Sequence, residues 1–384
     1  MTGVTGTGTR HRLLDGADRE MPDLGRDQII GLARDAGLTG RGGAGFPMWR
    51  KLAAVVVSGR PAVVIANGAE GEPASAKDRT LMARQPHLVL DGLQLVARAC
   101  GASVSHVYGT RPALASMAEA LTLRHDAIPV RLAPAPDAFV AGEESAAASA
   151  VAGRGAIPRD KLVRVTATGT LVQNVETLAH LAMIARHGAD WFRRRGTSDE
   201  PGTFLATIGG SVAAPGVVEA GYGVPLGDLI AAAGGPASPL SAVLIGGYHG
   251  GWVPADPSLP VSRAGLAPFG ATPGAGVVVA LPAHVCGLRE TARIANYLAG
   301  EVTGQCGPCR NGLPRLAGTL TDLADHRIRP GLTAEVERLA ALVTGRGACR
   351  HPDGTARLIA SAMRTFAADV TAHLSGRCLT EVAR

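Results

Sequence analysis

The chain has 384 residues, of which 46% are hydrophobic and 18% charged, and its formal net charge is +6 at pH 7. This length predicts two or three domains, and the lack of any run of about 18 apolar residues argues against a membrane span. The first 21 residues lack an apolar signal-peptide core, so we expect a cytoplasmic protein. Aromatic residues make up only 3% of the chain, which argues against nucleic-acid binding, whereas the basic balance favours an acidic protein partner.

The first half of the chain has the pattern of an α/β domain, which we assign to residues 23–200 after an N-terminal extension of residues 1–22. Apolar residues at helical spacing predict a helix over residues 26–36, ended by Gly37. The apolar run at 61–67 predicts a buried parallel strand whose polar end faces a ligand. The same criteria predict strands at 103–108 and 129–132, and helices at 88–100, 143–152 and 174–186.

A polar break at residues 193–202 separates this domain from a segment of different character. Short strands at 203–208, 216–219 and 242–245, with a helix near 226–233, predict a small β-grasp-like module at residues 201–278. Residues 279–384 carry Leu, Ala, Ile and Met at helical spacing over 288–299, 309–323, 333–343 and 355–374. This last region therefore predicts a C-terminal four-helix bundle with cysteines in its connecting loops.

Residues 40–51 are the most informative segment, because four glycines fill six positions there. Backbone N–H groups in such a loop can close around a phosphate, and Lys51 adds a positive charge. The preceding element is a predicted helix rather than a strand, so a Rossmann glycine loop is not expected. The alternative is a glycine-rich surface turn.

Lysine is rare in this chain: Lys51, Lys77 and Lys161 are the three lysines among 38 basic Lys and Arg residues. Because the ammonium group is compact and strongly hydrated whereas the guanidinium is broad and planar, the surviving lysines are candidates for sites that only an ammonium fits. Chance survival is the alternative.

The cysteines suggest a metal centre. Cys306-Gly-Pro-Cys309 precedes one predicted helix and Cys349 precedes the last, which is the spacing of iron–sulfur or zinc ligands. Three cysteines are one fewer than the usual four, and the candidates for a fourth ligand are His351, Cys286 and Cys378. Cys378 is the weakest of these, because a helix of about 20 residues would carry it ~30 Å from Cys349. A set of buried structural thiols is the alternative.

Taken together, these features resemble the flavin- and NADH-binding 51-kDa (F) subunit of respiratory complex I and its relatives in formate dehydrogenases and bidirectional hydrogenases. The resemblance covers about residues 20–370, and residues 203–250 are similar to the family's β-grasp (SLBB) insert. It is carried by five motifs in the same order, at residues 40–51, 67–79, 141–144, 172–177 and 304–310.

The resemblance implies cofactors and roles for particular residues. FMN would be held by Gly42, Gly43, Lys51, Asn67, Glu70, Gly142, Glu143, Glu144 and Asn174. NADH would be contacted by Phe46, Glu72 and Lys161, and an iron–sulfur cluster would be held by Cys306, Cys309 and Cys349. The implied activity is electron transfer from NAD(P)H or a protein donor through FMN and the cluster to a ferredoxin-like partner, with docking to a membrane redox protein a further option.

Several departures from the family's motifs affect these expectations. Thr303 stands where the family has a cluster cysteine, which leaves open a 4Fe–4S cluster, a 3Fe–4S cluster, recruitment of His351 or no cluster. Gly68 and Ala69 replace the family's Ala-Asp, so one flavin-contacting carboxylate is lost. Ala54 and the segment 162–165 replace two aromatic contacts to NADH. Two alternatives follow: a cluster-bearing relay or scaffold subunit that has lost flavin or NADH binding, and a non-redox module with buried or zinc-bound cysteines.

Overall fold

The computed structural model describes residues 12–15 and 20–380. The predicted N-terminal extension, residues 1–22, lies outside the described residues apart from 12–15 and 20–22. Leu13 and Leu14 in the first of these pieces are buried in the core of the α/β domain. The guanidinium of Arg12 lies 3.9 Å from the centre of the Trp191 ring. This piece of the extension therefore packs against the domain.

The first domain is built on a four-stranded parallel sheet with the strand order β3-β2-β1-β4. Its strands are β1 Val63–Gly68, β2 Ser105–Gly109, β3 Val130–Pro134 and β4 Thr170–Asn174. Its helices are α1 Arg26–Asp35, α2 Met48–Val57, α3 Lys77–Arg84, α4 Pro86–Cys100, α5 Arg111–Thr122, α6 Glu144–Val151, α7 Val175–His187 and α8 Ala189–Arg193. The α/β domain predicted from the sequence is confirmed. Strand β4, which the sequence analysis did not predict, completes the sheet beside β1.

A second sheet follows, with five strands in the order β6-β5-β11-β8-β9 and a separate two-stranded pair of β7 and β10. The five strands of the sheet are β5 Thr203–Gly210, β6 Gly216–Gly221, β8 Leu240–Ile245, β9 Gly251–Pro254 and β11 Val277–Pro282. The separate pair consists of β7 Val224–Pro225 and β10 Pro260–Val261, and the helices of this region are α9 Leu226–Ala231 and α10 Arg263–Leu266. Strand β11 lies at the centre, parallel to β5 and antiparallel to β8. The sheet has its own apolar core, which includes Phe204, Ile208 and Val278.

The rest of the described chain is helical. It comprises α11 Gly287–Gly300, a π-helical turn at Pro308–Gly312, α12 Leu313–Ala324, α13 Leu332–Val343, α14 His351–Thr365 and α15 Ala367–Leu374. Helix α12 packs between α11 and α13, and α14 also contacts α11 and α13. The single final helix predicted for residues 355–374 was wrong: the buried Phe366 has non-helical dihedral angles and separates α14 from α15.

Arg41 joins the first domain to the second sheet. Its side chain is only 3% exposed and donates hydrogen bonds to the carbonyl oxygens of Thr203 and Pro201, while its guanidinium lies 4.8 Å from the Tyr222 ring centre. A buried guanidinium fork of this kind fixes two chain segments relative to each other.

Across residues 12–15 and 20–380, none of the helices combines the length and apolarity needed to cross a bilayer.

Candidate functional site

Two of the predicted flavin residues meet where strands β1 and β4 end. Asn67 and Asn174 are register partners at the carboxyl ends of these neighbouring strands. In the strand order, β2 lies next to β1 on one side and β4 lies next to it on the other. The order of the strands therefore reverses at β1, and the carboxyl ends of β1 and β4 form a topological switch point. Ligands of open parallel sheets bind in the crevice at such a point.

The side chains at the crevice hold its walls together. Asn67 Nδ2 donates to the carbonyl oxygen of Gly142 at 2.9 Å, which ties β1 to the segment before α6. Asn174 Oδ1 accepts from the Glu176 amide at 3.0 Å and so caps α7. Glu143 likewise caps α6 by accepting from the amides of Ser145 and Ala146. Because Glu143 is largely buried, its pKa is raised.

The glycine-rich loop lies over the end of β4. A Cβ placed on Gly42 would lie 3.4 Å from the Asn174 Cβ, so a side chain there would crowd the crevice. Gly40 N donates to Phe46 O and Arg41 N to Thr177 Oγ1, but the N–H groups of residues 42–45 find no hydrogen-bond partner among the described residues. These free donors beside Lys51 fit the phosphate of a mononucleotide.

We expect Gly43→Ala to weaken FMN binding about 5- to 30-fold. Gly43 has a φ of +104°, and a Cβ in left-handed backbone costs about 1–2 kcal/mol. The free loop can relax that strain, but the bound loop cannot. Fluorescence titration of deflavinated protein with FMN measures the change in Kd. Gly59→Ala is the matched control, since Gly59 also has a positive φ of +62° but lies in open space after α2. An equal weakening in both variants would contradict the loop's assigned role.

Lys51, Glu144 and Glu70 complete the predicted flavin set. Lys51 Nζ lies 2.9 Å from Glu144 Oε1 and 3.2 Å from the Val172 carbonyl oxygen, and therefore links α2 to α6 and β4. Glu70 accepts hydrogen bonds from Ser75 Oγ and the Asp78 amide. The structure thus brings all nine residues to one edge of the sheet: Gly42, Gly43, Lys51, Asn67, Glu70, Gly142, Glu143, Glu144 and Asn174.

A buried charge network beneath the crevice was not predicted. Lys77 is 2% exposed, and its Nζ lies 2.7 Å from Asp78 Oδ1 and 2.8 Å from Glu176 Oε2. Asp78 Oδ2 in turn accepts from Asn174 Nδ2 at 2.7 Å. The rarity of lysine in this chain was the sequence signal that could have pointed to it.

The three predicted NADH residues have separate surroundings. Phe46 is 38% exposed at the end of the glycine loop. Glu72 is inserted at the second sheet, where its carboxylate accepts from the Tyr248 amide at 2.7 Å, and burial raises its pKa to about 7. Lys161 Nζ donates to the Gly345 carbonyl oxygen at 2.8 Å, in the loop that carries Cys349. The contacts of these three side chains therefore do not join them into one site.

Cys306, Cys309 and Cys349 come together at one end of the helical region. Burial, together with the neighbouring thiol of Cys306, raises the pKa of Cys309 to about 12. Cys349 lies close enough to Cys306, and to Glu143 and Lys161, for their charges to act on it. The three sulfurs do not all lie within 4.8 Å of one another. A single tetrahedral ion would need sulfurs about 3.8 Å apart, so the wider set fits a multi-iron cluster better.

The three candidates for a fourth cluster ligand are otherwise engaged. His351 Nε2 lies 2.8 Å from the Leu298 carbonyl oxygen and its Nδ1 lies 3.0 Å from His249 Nε2. Cys286 and Cys378 lie together with His373. Cys286 precedes the start of α11, whereas His351 meets the last turns of that helix, so about 20 Å separates Cys286 from the Cys349 end. Thr303 is exposed to solvent.

An aromatic contact that the sequence analysis missed joins the three parts of the protein. The Phe139 ring, just before the 141–144 motif, lies edge-on to His249 with ring centres 4.6 Å apart. It also contacts His351 and Tyr297 of the helical region, at 5.5 and 6.3 Å. The flavin-side motif is therefore packed directly against the helices that carry the cysteines.

Comparisons with known proteins agree with this geometry. Residues 33–183 match the family model of the Nuo51 FMN-binding domain, and residues 289–373 match that of the NADH-ubiquinone oxidoreductase-F iron-sulfur binding region. The chain is 31% identical to the F 2 subunit of the NADH-quinone oxidoreductase of Rhizobium meliloti, over 91% of this chain and 90% of the relative. It is 28% identical to the F subunit of the NADH-quinone oxidoreductase of Streptomyces coelicolor, over 96% of this chain and 87% of the relative.

Among solved structures, a chain of the NAD+-reducing [NiFe]-hydrogenase in its air-oxidized state superposes with a TM-score of 0.83 at 31% identity. The match covers 91% of this chain and 63% of the hydrogenase chain. The H2-reduced state of the same enzyme matches with a TM-score of 0.82.

Proposed function

Because this chain belongs to the family of NADH-quinone oxidoreductase F subunits, we propose that it is an electron-transfer oxidoreductase component that uses FMN and an iron–sulfur cluster. One observation carries the proposal: the N–H groups of residues 42–45, unpaired within the described chain, cover the β1–β4 switch point. The cysteine set lies beside the same crevice, since Glu143 and Lys161 are both close enough to act on Cys349.

Different residues of the crevice would bind different parts of FMN. The N–H groups of residues 42–45 and the Lys51 ammonium would bind the phosphate. Asn67, Glu70 and Asn174 offer hydrogen-bonding groups at the strand ends for ribityl hydroxyls and the edge of the ring. When bound, FMN accepts a hydride and passes electrons on singly to the cluster.

Cys306, Cys309 and Cys349 would hold the cluster. The three thiols must lose their protons to bind iron, because thiolate is the form that ligates the metal, and iron binding itself favours that loss. The positive charge of Lys161 near Cys349 favours added negative charge on the cluster, and hence its reduction. Thr303 supplies no thiolate, so one iron of a 4Fe–4S cluster would lack a cysteine.

The same proposal covers the architecture. The α/β flavin domain corresponds to residues 23–200, an SLBB-like β-grasp module to residues 201–278 and a four-helix cluster domain to residues 279–384. Strand β11 ends at Pro282, so the second sheet extends four residues beyond the proposed boundary at residue 278. The mixed five-stranded sheet supports the second assignment. The mutual packing of α11, α12, α13 and α14 supports the third.

The donor we propose is NAD(H) or NADP(H), on the basis of the relatives, which are named as NADH-quinone oxidoreductase subunits. The partner is a ferredoxin-like or other electron-transfer protein that approaches Cys306, the half-exposed member of the cysteine set. Six free cysteines, most of them buried, suit a reducing cytoplasmic location.

The test is an anaerobic absorption spectrum of the purified chain, with FMN, iron and sulfide assayed on the same sample. We expect about one FMN and one cluster per chain, and bleaching of the flavin bands on addition of NADH. Cys309→Ser should remove the cluster and keep the flavin, while Cys100→Ser, in buried helix α4, should change neither. A chain that takes up neither FMN nor iron when reconstituted would refute the proposal.

A second function is favoured because Gly68 and Ala69 stand where the family has Ala-Asp, so the carboxylate of that aspartate is missing. Without that carboxylate, the turn after β1 is stabilised locally, because the Asn67 side-chain oxygen accepts a hydrogen bond from the Ala69 amide at 3.1 Å. A cluster-bearing relay or scaffold protein without flavin would give iron and sulfide in the same assay but no FMN, even after reconstitution.

A further inference from the structure

A second group of metal-binding side chains lies at the end of the helical region opposite the three clustered cysteines. Cys286 immediately precedes α11, His373 lies in α15, and Cys378 follows α15. Their ligand atoms all lie within 4.8 Å of one another. All three side chains are buried, with exposures of 5%, 0% and 2%. Residues nearly a hundred positions apart are thus gathered into one dry pocket.

The histidine is held in the tautomer that a metal ligand needs. His373 Nδ1 lies 3.1 Å from the Leu323 carbonyl oxygen, which can only accept, so Nδ1 carries the proton. Nε2 is left with its lone pair, 3.5 Å from Cys286 Sγ. A backbone carbonyl bonded to the distal nitrogen is the usual support of a metal-bound histidine. The separation is close to the ~3.6 Å edge between sulfur and nitrogen on tetrahedral zinc.

A second histidine packs against this group without belonging to it. The His326 ring lies edge-on to His373, with ring centres 4.3 Å apart. His326 is not among the residues whose ligand atoms lie within 4.8 Å of one another. It therefore supports the His373 ring by packing and is not counted as a ligand.

We propose that Cys286, His373 and Cys378 bind a Zn²⁺ ion. The site would tie together the start of α11, helix α15 and the segment after α15. Thiolate and imidazole are the usual ligands of zinc, and a fourth position is left for a ligand from outside these three side chains. This ion is separate from the cluster and takes no part in electron transfer.

Two other states of these residues are less consistent with their geometry. A Cys286–Cys378 disulfide would leave the His373 Nε2 atom buried without a hydrogen-bond partner in the described chain. An iron–sulfur cluster would need more widely spaced sulfurs, as at Cys306, Cys309 and Cys349. A mononuclear ion satisfies Cys286, His373 and Cys378 together.

Metal content of the full-length, anaerobically purified chain tests the proposal. We expect about one zinc per chain in the wild type, and at least a tenfold lower zinc content in Cys286→Ser/Cys378→Ser. Cys100→Ser is the matched control, because Cys100 is also buried but lies in α4, away from this group, and it should keep its zinc. Cys306→Ser/Cys309→Ser/Cys349→Ser should also keep it while losing iron, which separates this site from the proposed redox function.

If the double variant does not fold, Co²⁺ in place of zinc gives an independent readout. Cobalt bound to the triple-serine chain should show a cobalt–thiolate charge-transfer band, because Cys286 and Cys378 remain. Absence of that band would overturn the proposal. So would a zinc-free wild type, equal zinc in the double variant, or a Cys286–Cys378 disulfide found by mass spectrometry under anaerobic conditions.

Discussion

Lys77→Met should destabilise the protein by about 3–5 kcal/mol, the largest effect we expect of any single substitution in the α/β domain. The ammonium lies between two buried carboxylates, at 2.7 Å from Asp78 and 2.8 Å from Glu176. Although burial alone favours the protonated acid, Lys77 and His180 lower the pKa of Glu176 to about 2. Burial raises the pKa of Asp78 to about 6 even with Lys77 beside it. Removing the cation leaves an ionised Glu176 without compensation.

The measurement is the thermal midpoint, which we expect to fall by at least about 6 °C at roughly 2 °C or more per kcal/mol. Lys51→Met is the control, since its pair with Glu144 is partly exposed, at 20% and 35%, and should contribute less than about 1 kcal/mol. Lys77→Met/Glu176→Gln should recover part of the loss, because it also removes the uncompensated charge. A midpoint unchanged by Lys77→Met would show that the carboxylates do not depend on this lysine.

Thr303→Cys should convert an air-sensitive cluster into a stable one. Thr303, Cys306 and Cys309 follow one another at three-residue intervals, and Thr303 is exposed at the position where the family has a cysteine. In the proposed wild-type cluster, one iron of the 4Fe–4S unit would have no thiolate and should be lost on oxidation, leaving about three irons per chain. A fourth thiolate should keep about four.

Iron content and the electron paramagnetic resonance spectrum after exposure to air measure this difference. The oxidised wild type should show a 3Fe–4S signal, which Thr303→Cys should lack. Thr303→Ser keeps the hydroxyl without adding sulfur and should behave as the wild type does. The same iron loss in Thr303→Cys as in the wild type would mean that the fourth position is filled by another group.

The elements that the sequence predicted are those whose signal is local. Strand β1 and helix α4 coincide with apolar runs bounded by glycine or polar residues, so each could be recognised without its neighbours. Strand β4 carries the same kind of short run, but its identity depends on pairing with β1 about a hundred residues away. Strand β11 pairs in parallel with β5, and such a contact between distant segments is equally absent from local sequence.

The candidate site shows the same difference between features with a local sequence signal and features that depend on distant contacts. The glycine loop and the three cysteines were predicted from their residue types and spacing, whereas the roles of Asn67 and Asn174 came from the family resemblance. The partners of His351 and Cys378 were not predicted, because these partners depend on which helix ends meet in the folded protein. His351 was a reasonable fourth ligand in sequence, but its two nitrogens are engaged by Leu298 and His249. Cys378 lies with Cys286 because the chain turns at Phe366.

The loop around Lys161 has a consequence for how the protein matures. It is hydrogen-bonded to both cysteine-bearing loops: Lys161 N donates to the Ala348 carbonyl oxygen at 2.8 Å, and Gln305 Nε2 donates to the Pro158 carbonyl oxygen at 2.7 Å. During synthesis this loop leaves the ribosome before either cysteine segment does. Docking of the new helices onto the finished α/β domain therefore competes with delivery of iron and sulfide to the thiols. Iron and sulfide therefore reach the thiols most freely before this docking, since Cys309 and Cys349 are buried in the folded chain and only Cys306 of the three stays half-exposed.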